Sequence, residues 1–299
     1  MDLKKINGKT YYISSGTNIG VYLFKDKYTL LIDTGNNNQQ GRKISEVLER
    51  NNMSIKYVIN THHHSDHSGG NYYIKENFPG SIIYTSEKEK IYIENDELFS
   101  KQLFNAAPIK KLRKDFMISK EMKVDRVINE GIEKINNEKF EIIKLCGHSD
   151  GQIGIATRDG VCFLADSVMS EEIIKKYKMP FICDIEKQLN TYRKILELKY
   201  DYYVLSHGEK IYNKENIKKL INKNKDHLLK YIDISKELLE QPKSREGLLE
   251  EIIILEEINV DFNEYHFLNA TIGAIITYLY EKEELNYQIE NGKLYYYQK

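Results

Sequence analysis

The stretch VINTHHHSDHSGGNYY, residues 58–73, joins a short apolar run to four of the chain's eight histidines and then to two glycines. Within it, His62, His64, Asp66 and His67 spell the pattern H-x-H-x-D-H. Neutral imidazole and carboxylate groups are good ligands for zinc, iron and manganese. Alternate residues of an extended segment point to the same side, so His62 and His64 are expected to share one metal. The stretch therefore predicts a metal site directly after a buried strand.

The residues between these candidates have different predicted roles. By the same alternation, His63 points away from His62 and His64, and we exclude it as a ligand. Gly69 and Gly70 have no side chains and let the backbone approach another segment closely. The chain is therefore expected to turn from a strand into a helix at the histidine cluster.

A cluster of four residues cannot complete two metal sites, so further ligands must come from elsewhere in the chain. Three candidates stand at the ends of predicted strands: His148 in CGHSDGQ, Asp166 in FLADS and His207 in LSHGE. Asp33 in LLIDTG occupies the same kind of position. Active-site residues favour such strand-to-loop junctions, which makes all four candidates for the same site.

The order of the predicted elements suggests two parts. Strand and helix patterns alternate through the first ninety residues, and a helical insertion placed to act as a lid is expected at residues 87–123. From about residue 211 the chain becomes rich in Lys/Glu helices, and it ends in a predicted hairpin about Asn291–Gly292. We expect a catalytic domain at residues 1–210 and a small helical, winged-helix-like module at residues 211–299.

The candidate residues occur in the order of five motifs of a known family: Asp33, the H-x-H-x-D-H cluster, His148, Asp166 and His207. Over residues 1 to about 210 the chain resembles the metallo-β-lactamase superfamily. The resemblance implies an α/β fold, a four-layered αβ/βα sandwich with two metals at one edge between its sheets.

The resemblance also implies a role for each candidate. It places the first metal on three side chains: His62, His64 and His148. It places the second on three others: Asp66, His67 and His207. Asp166 would bridge the two metals, and Asp33 would steady the cluster without binding metal.

Two divalent metals about 3.5–4 Å apart hold a shared hydroxide and lower the pKa of the bound water to about 7. Zinc is the expected metal, with iron and manganese as alternatives, and Asp66 is the expected catalytic residue that orients the hydroxide or passes a proton. His64 favours the hydrolytic branch of the family, because flavodiiron relatives place a carboxylate at that position. We therefore expect a metal-dependent hydrolase of a small ester-, thioester- or lactam-like substrate.

Other functions remain as alternatives. The C-terminal module resembles the winged-helix appendage of lactamase-beta-like ribonucleases, which favours an endoribonuclease, and an iron-dependent redox protein or a DNA-binding regulator would also fit parts of the pattern. However, the formal net charge is −1, and residues 264–284 contain one Lys and four Glu. The basic run KKLRK at 110–114 is interpreted as a solvated helix face. We expect a small-molecule substrate and no nucleic acid, with the module used for packing or homodimerisation.

The remaining composition bears on location. The three cysteines form no C-x-x-C pair and are expected to be reduced, as in a cytoplasmic protein. Cys146 lies two residues before His148 and is interpreted as a buried, inert thiol. No secretory signal is expected at the start, and the apolar segment at 267–280 is too short to span a bilayer. We therefore expect a cytoplasmic protein with no membrane partner.

Overall fold

The computed structural model of the protein describes residues 1–95, 97–115 and 122–299, without the side chains of residues 113–115. Within the predicted lid insertion, residue 96 and residues 116–121, Phe116 among them, lie outside the described residues. So do the side chains of two members of the basic run, Arg113 and Lys114.

Within the described residues, the strands form two large sheets and a hairpin. The first sheet has the spatial order β1 (Leu3–Asn7), β2 (Thr10–Ile13), β3 (Ile19–Leu23), β4 (Tyr28–Ile32), β5 (Ser54–Ile59), β6 (Ile82–Thr85) and β7 (Arg126–Val127). The second sheet has the order β13 (Ile211–Tyr212), β12 (Tyr202–Val204), β11 (Val161–Phe163), β10 (Ile153–Thr157), β9 (Glu138–Lys144) and β8 (Gly131–Ile135). The hairpin pairs β14 (Leu285–Glu290) with β15 (Lys293–Gln298).

The described helices lie between these strands and after them. The first six are α1 (Asn38–Arg50), α2 (Ser65–Ser68), α3 (Asn71–Asn77), α4 (Glu87–Ile93), α5 (Leu98–Phe104) and α6 (Lys110–Asp115). The later ones are α7 (Glu171–Tyr177), α8 (Ile185–Glu197), α9 (Lys214–Leu238), α10 (Arg245–Leu255) and α11 (Phe262–Glu281). A short 3₁₀ turn spans Ala165–Ser167.

The core consists of apolar layers on both sides of each sheet. In β3, Ile19 and Val21 pack with Ile44 of α1 on the outer face, whereas Tyr22 packs with Phe140 of β9 between the two sheets. This alternation follows from the two-residue period of side chains along a strand. A third apolar layer lies between the second sheet and helices α8 to α11. The helix–sheet–sheet–helix arrangement confirms the predicted four-layered α/β sandwich.

The C-terminal helices are continuous with this core. Strand β13 pairs with β12, so the second sheet extends past the predicted boundary at residue 210, and the helices begin at Lys214. Asn291 and Gly292 have φ angles of 50° and 77°, and they form the expected turn of the final hairpin. The division into two domains and the winged-helix assignment stay predictions. In the described part of the chain, no helix combines the length and apolar character needed to cross a bilayer.

Candidate metal centre

Three histidine rings converge at the edge between the two sheets. Strand β5 ends at Ile59, and the chain then bends, so the expected extended segment is a loop instead. In this loop, His62 Nε2 lies 3.0 Å from His64 Nδ1, and His148 Nε2 lies 3.0 Å from the same His64 atom. The rings of His62 and His64 therefore share one side, as the sequence predicts, although the backbone reaches this arrangement by bending.

The hydrogen-bond partners of these rings indicate which nitrogens carry protons, and the assignment shows that a cation fits between the rings. His148 Nδ1 donates to the Phe181 carbonyl at 3.0 Å, which leaves His148 Nε2 as a bare lone pair. His62 Nδ1 lies 3.1 Å from the Thr61 hydroxyl, whose own proton goes to a carboxylate, so His62 Nε2 is also bare. A neutral imidazole carries one proton, so His64 Nδ1 satisfies at most one of the two lone pairs that face it. A metal ion satisfies all three nitrogens at once.

A second group of four side chains lies beside the first. His67 Nε2 is 3.4 Å from both Asp66 Oδ2 and Asp166 Oδ1, and His207 Nε2 is 3.3 Å from Asp66 Oδ2 and 3.4 Å from Asp166 Oδ2. His67 Nε2 and Asp166 Oδ1 are buried without a hydrogen-bond partner among the described residues. Buried polar atoms normally have hydrogen-bond partners. A cation held between His67 Nε2 and Asp166 Oδ1 would give both atoms a partner.

The outer nitrogens of the second pair of rings are fixed by acceptors. His67 Nδ1 donates to Asp33 Oδ2 at 2.8 Å, and His207 Nδ1 donates to the Gly16 carbonyl at 2.8 Å. Each contact places the proton on Nδ1 and leaves Nε2 as the atom that faces the carboxylates. Such contacts set the tautomer and orientation of metal-binding histidines.

Asp166 joins the two groups. In addition to its contacts in the second group, its Oδ2 lies 3.6 Å from His148 Nε2 in the first. Within each group, the candidate ligand atoms all lie within 4.8 Å of one another. The structure thus brings all seven predicted residues to one edge, while their roles as ligands stay predictions.

The electrostatic environment differs between the two groups. Burial lowers the pKa of His62 and His64 well below the usual value for histidine, which favours neutral imidazole. Burial also opposes charge on His207, but the carboxylates of Asp166 and Asp66 outweigh it and raise its pKa to about 11. The second group therefore favours positive charge in the space between its carboxylates.

The backbone around Asp33 explains how the cluster is held in place. Asp33 follows β4 with a φ of 67°, a left-handed conformation that Asp tolerates better than most residues. Its carboxylate accepts from the Thr61 backbone N–H and hydroxyl, each at 2.8 Å. A Cβ at Gly69 or Gly70 would lie 2.4 or 2.3 Å from the backbone of the segment after Asp33, which confirms the predicted close approach.

His63 belongs to neither group of candidate ligand atoms, although its ring centroid lies 4.7 Å from that of His64. Its Nδ1 lies 2.5 Å from Glu89 Oε2, and its backbone N–H donates to the same oxygen at 2.8 Å. Glu89 is buried, and its Oε1 accepts from the Ser149 hydroxyl and the Gly151 N–H, each at 2.7 Å. This carboxylate therefore links the loop of His62 and His64 to the loop of His148.

Several residues that support the site have no signal in the sequence. Glu89 lies in the run EKEK, which resembles a solvated helix, and Phe181 contributes only its backbone carbonyl to His148. Thr17 donates to Asp66 Oδ2 at 3.0 Å from a segment with no motif. Only Thr61 is within reach of sequence reasoning, because it directly precedes the histidine cluster.

The described part of the predicted lid insertion packs against the histidine cluster. Phe99 of α5 lies against the cluster, with its ring centroid 4.7 Å from that of His64 and 4.8 Å from that of His63. Its ring also approaches Phe267 of α11, at 6.2 Å. The described insertion residues thus cover the histidine loop, but they do not line the cavity beside the metal centre.

That cavity has a volume of about 560 Å³ and opens onto His64, Asp66, His148, Asp166 and His207. Its other walls come from residues 167–182, from α8 and from residues 257–268 of the C-terminal part. A volume of this size suits a small-molecule ligand.

Cys146 shows no sign of reactivity. Burial raises the pKa of its thiol, and the nearby carboxylate of Asp150 acts in the same direction. A thiol of this kind is a poor nucleophile, which agrees with the structural role expected from the sequence.

Comparison with known proteins supports the family resemblance and the metal-dependent chemistry. The model of the metallo-beta-lactamase superfamily matches residues 15–207. Hydroxyacylglutathione hydrolase 1 of Vibrio vulnificus (strain YJ016) is 25% identical over 149 residues, which are 50% of this chain and 46% of that protein. Two further proteins named hydroxyacylglutathione hydrolase match over 31% and 48% of their own length. The chain thus spans about half the length, or less, of these curated relatives.

Solved structures extend the likeness to the C-terminal part. A beta-lactamase domain protein from Burkholderia ambifaria has a TM-score of 0.76 at 15% identity, covering 100% of this chain and 94% of its own. A metallo-beta-lactamase family protein from Thermus thermophilus has a TM-score of 0.72 at 16% identity, covering 97% and 99%. At these identities the likeness shows the fold. Since the family model also spans more than half of the sequence, this chain belongs to the metallo-beta-lactamase superfamily.

Proposed function

We propose that the protein is a dinuclear metal-dependent hydrolase that cleaves a small thioester. The observation that carries the proposal is the convergence of bare imidazole nitrogens and carboxylates in two adjoining groups, joined by Asp166. We further propose that the first metal binds His62, His64 and His148 and the second binds Asp66, His67 and His207, with Asp166 between them.

Hydrolysis of a thioester adds water to the carbonyl carbon and breaks the C–S bond, leaving an acid and a thiol. Two divalent metals bound here would supply polarisation of the carbonyl oxygen and acidification of water. The protein's own contribution is to orient the candidate ligands. Asp33, the Phe181 carbonyl and the Gly16 carbonyl accept hydrogen bonds from the outer nitrogens of three of the rings. Orientation of this kind lowers the barrier because no rearrangement is needed during the reaction.

Asp66 is placed to handle the proton. Burial opposes its ionisation, but His67 and His207 hold the pKa of Asp66 well below its usual range. Its carboxylate is therefore an acceptor at neutral pH, partly exposed to the cavity and oriented by the Thr17 hydroxyl. We propose that Asp66 accepts a proton from the attacking water and passes it to the departing sulfur.

The thioester is favoured by the relatives and by the cavity. The name hydroxyacylglutathione hydrolase describes cleavage of an acyl derivative of glutathione, and acyl glutathione is a thioester. A cavity of about 560 Å³ holds a small molecule, whereas RNA binding needs a charged track along the surface. Helix α11, the counterpart of a nucleic-acid-reading helix in the winged-helix interpretation, lines this cavity through Glu264, Phe267 and Leu268.

The test is a side-by-side assay of an acyl thioester, an ester, a lactam and single-stranded RNA with metal-loaded protein at about 150 mM salt. The thioester should be cleaved fastest, and Asp66→Asn should abolish the cleavage. The matched control is Asp226→Asn, at an exposed position on α9, which should behave as the wild type. Cleavage of RNA that Asp66→Asn removes, without turnover of the thioester, would establish the ribonuclease alternative.

A further inference from the structure

Beyond the metal centre, most of the side chains that line the cavity are apolar. Ile173 of α7 and the buried Met179 and Ile182 form one wall. Ile258 and the buried Leu268 line the cavity from the C-terminal part. Beyond the metal centre the cavity is thus lined mainly by apolar side chains, with the buried Gln188 as a polar member.

Among the described residues, four charged side chains line the cavity beyond the metal centre: Lys176, Lys178, Glu257 and Glu264. Glu264 is half-buried, and its Oε2 accepts from the Asp261 backbone N–H at 3.1 Å. Lys176 and Glu257 are exposed, and the Lys178 ammonium is already engaged with the carbonyls of Glu256 and Glu257, at 2.6 and 2.9 Å. None of these gives the interior a buried cation with which to bind a carboxylate or phosphate. An anionic acyl group would therefore lose its hydration there without a compensating cation.

The walls are held together by contacts between the two parts of the chain. The buried Thr271 hydroxyl of α11 accepts from the Ile182 N–H at 3.1 Å and lies 3.0 Å from the Pro180 carbonyl. The Lys178 ammonium adds its two bonds to the C-terminal carbonyls. The cavity is therefore preformed, which reduces the conformational entropy lost when a ligand fills it.

We propose that this cavity binds an unbranched or aromatic apolar acyl group of the substrate, with its carbonyl at the metal centre and the thiol part directed outward. The proposal rests on the proposed thioesterase function, since it names the substrate class of the same site. Each methylene buried in such a space contributes about 0.8 kcal/mol, so kcat/KM should rise about two- to fourfold per added methylene until the cavity is full.

The first experiment measures kcat/KM for acetyl, butanoyl, hexanoyl and octanoyl thioesters of one thiol, with metal-loaded protein. We expect a rise along the series in the wild type. Ile258→Glu places a carboxylate in the apolar wall and should reduce the octanoyl-to-acetyl ratio by about tenfold or more. The matched control is Ile254→Glu, because Ile254 is 69% exposed and does not line the cavity, and it should keep the wild-type ratio.

The second experiment does not depend on catalysis. Calorimetry with metal-free protein should show that the neutral ligand octanamide binds with a negative heat-capacity change, whereas acetamide does not bind. Ile258→Glu should weaken octanamide binding, and Ile254→Glu should not.

The two experiments separate this proposal from the proposed function. A flat chain-length series, or one in which acetyl is the best substrate, overturns the acyl-binding proposal while the hydrolase stands. If no thioester is cleaved, the proposed function fails, and calorimetry then tests whether the cavity binds an apolar ligand. Octanamide binding that Ile258→Glu weakens supports an apolar ligand site in this cavity. No octanamide binding, or binding that Ile258→Glu leaves unchanged, overturns the proposed site.

Discussion

The buried carboxylate of Glu89 provides a sharp test of how the metal centre is held. Its Oε2 accepts from the His63 backbone N–H and Nδ1, and its Oε1 accepts from the Ser149 hydroxyl and the Gly151 N–H. Glu89→Gln keeps the shape of the side chain but replaces one oxygen by an amide group that donates. Ser149 and His63 Nδ1 are able to exchange donor and acceptor roles, whereas the two backbone N–H groups are not.

The expected magnitude follows from this count. Whichever way the side-chain amide of the Glu89→Gln variant is oriented, one backbone N–H faces a donor and loses its acceptor, which costs about 1–3 kcal/mol. The loops that hold His64 and His148 should also lose alignment. We expect metal affinity of the first group to fall about tenfold, the lower end of the range for partners of metal-binding residues.

The pH dependence of the unfolding free energy provides an independent test of the role of Glu89. Burial opposes ionisation of Glu89, but His63 and the hydrogen bonds hold its pKa below the ordinary value of 4.5. Its contribution to stability is therefore fully present above about pH 4.5 and is lost as the pH falls through the lowered folded-state pKa. The difference in unfolding free energy between wild type and Glu89→Gln should shrink below pH 4.5.

The assay is urea unfolding of metal-free protein between pH 3 and 7, together with metal competition against a chromogenic chelator. Glu87→Gln is the control, because Glu87 lies on the same helix but is exposed. If Glu89→Gln matches Glu87→Gln in both unfolding free energy and metal affinity, the carboxylate does not hold the two loops together and the reasoning is wrong.

Other variants test the remaining parts of the site. Elemental analysis after metal loading should approach two equivalents per chain, and a firm ceiling of one would contradict a dinuclear centre. His67→Ala should lose the second metal, whereas His63→Ala should keep both metals but lower the unfolding free energy; equal metal loss in the two variants would refute the predicted geometry. Thr271→Val removes the acceptor of the Ile182 N–H and should weaken metal binding by the first group, as measured by chelator competition, whereas Thr271→Ser should restore it. An unchanged affinity in Thr271→Val would show that α11 does not position His148.

Sequence reasoning reaches the parts of the site that depend on residue type and local spacing. The H-x-H-x-D-H cluster and the strand-end positions of His148, Asp166 and His207 are visible because strands carry a two-residue period and end at turn residues. The alternation of strands with helices indicates an α/β chain, the resemblance to the family implies the four-layered sandwich, and the fold is confirmed.

The remaining parts depend on contacts between distant segments. Glu89 reaches the cluster because α4 packs beside the His148 loop, and its surroundings in sequence are those of an exposed helix. The cavity walls come from residues 167–182 and 257–268, which meet only in the folded chain. The sequence places a helical insertion after β6, but the contact of its Phe99 with His64 and the absence of its described residues from the cavity lining are visible only in the structure.

The Phe181 backbone links two equilibria. Its carbonyl accepts a hydrogen bond from His148 Nδ1–H, and the same residue lines the cavity. A ligand that shifts this carbonyl changes the basicity of a metal-facing nitrogen, and by thermodynamic reciprocity the metal changes the affinity for that ligand by the same factor. Metal content and ligand occupancy are then coupled variables. An apparent dissociation constant for either has a meaning only at a stated concentration of the other.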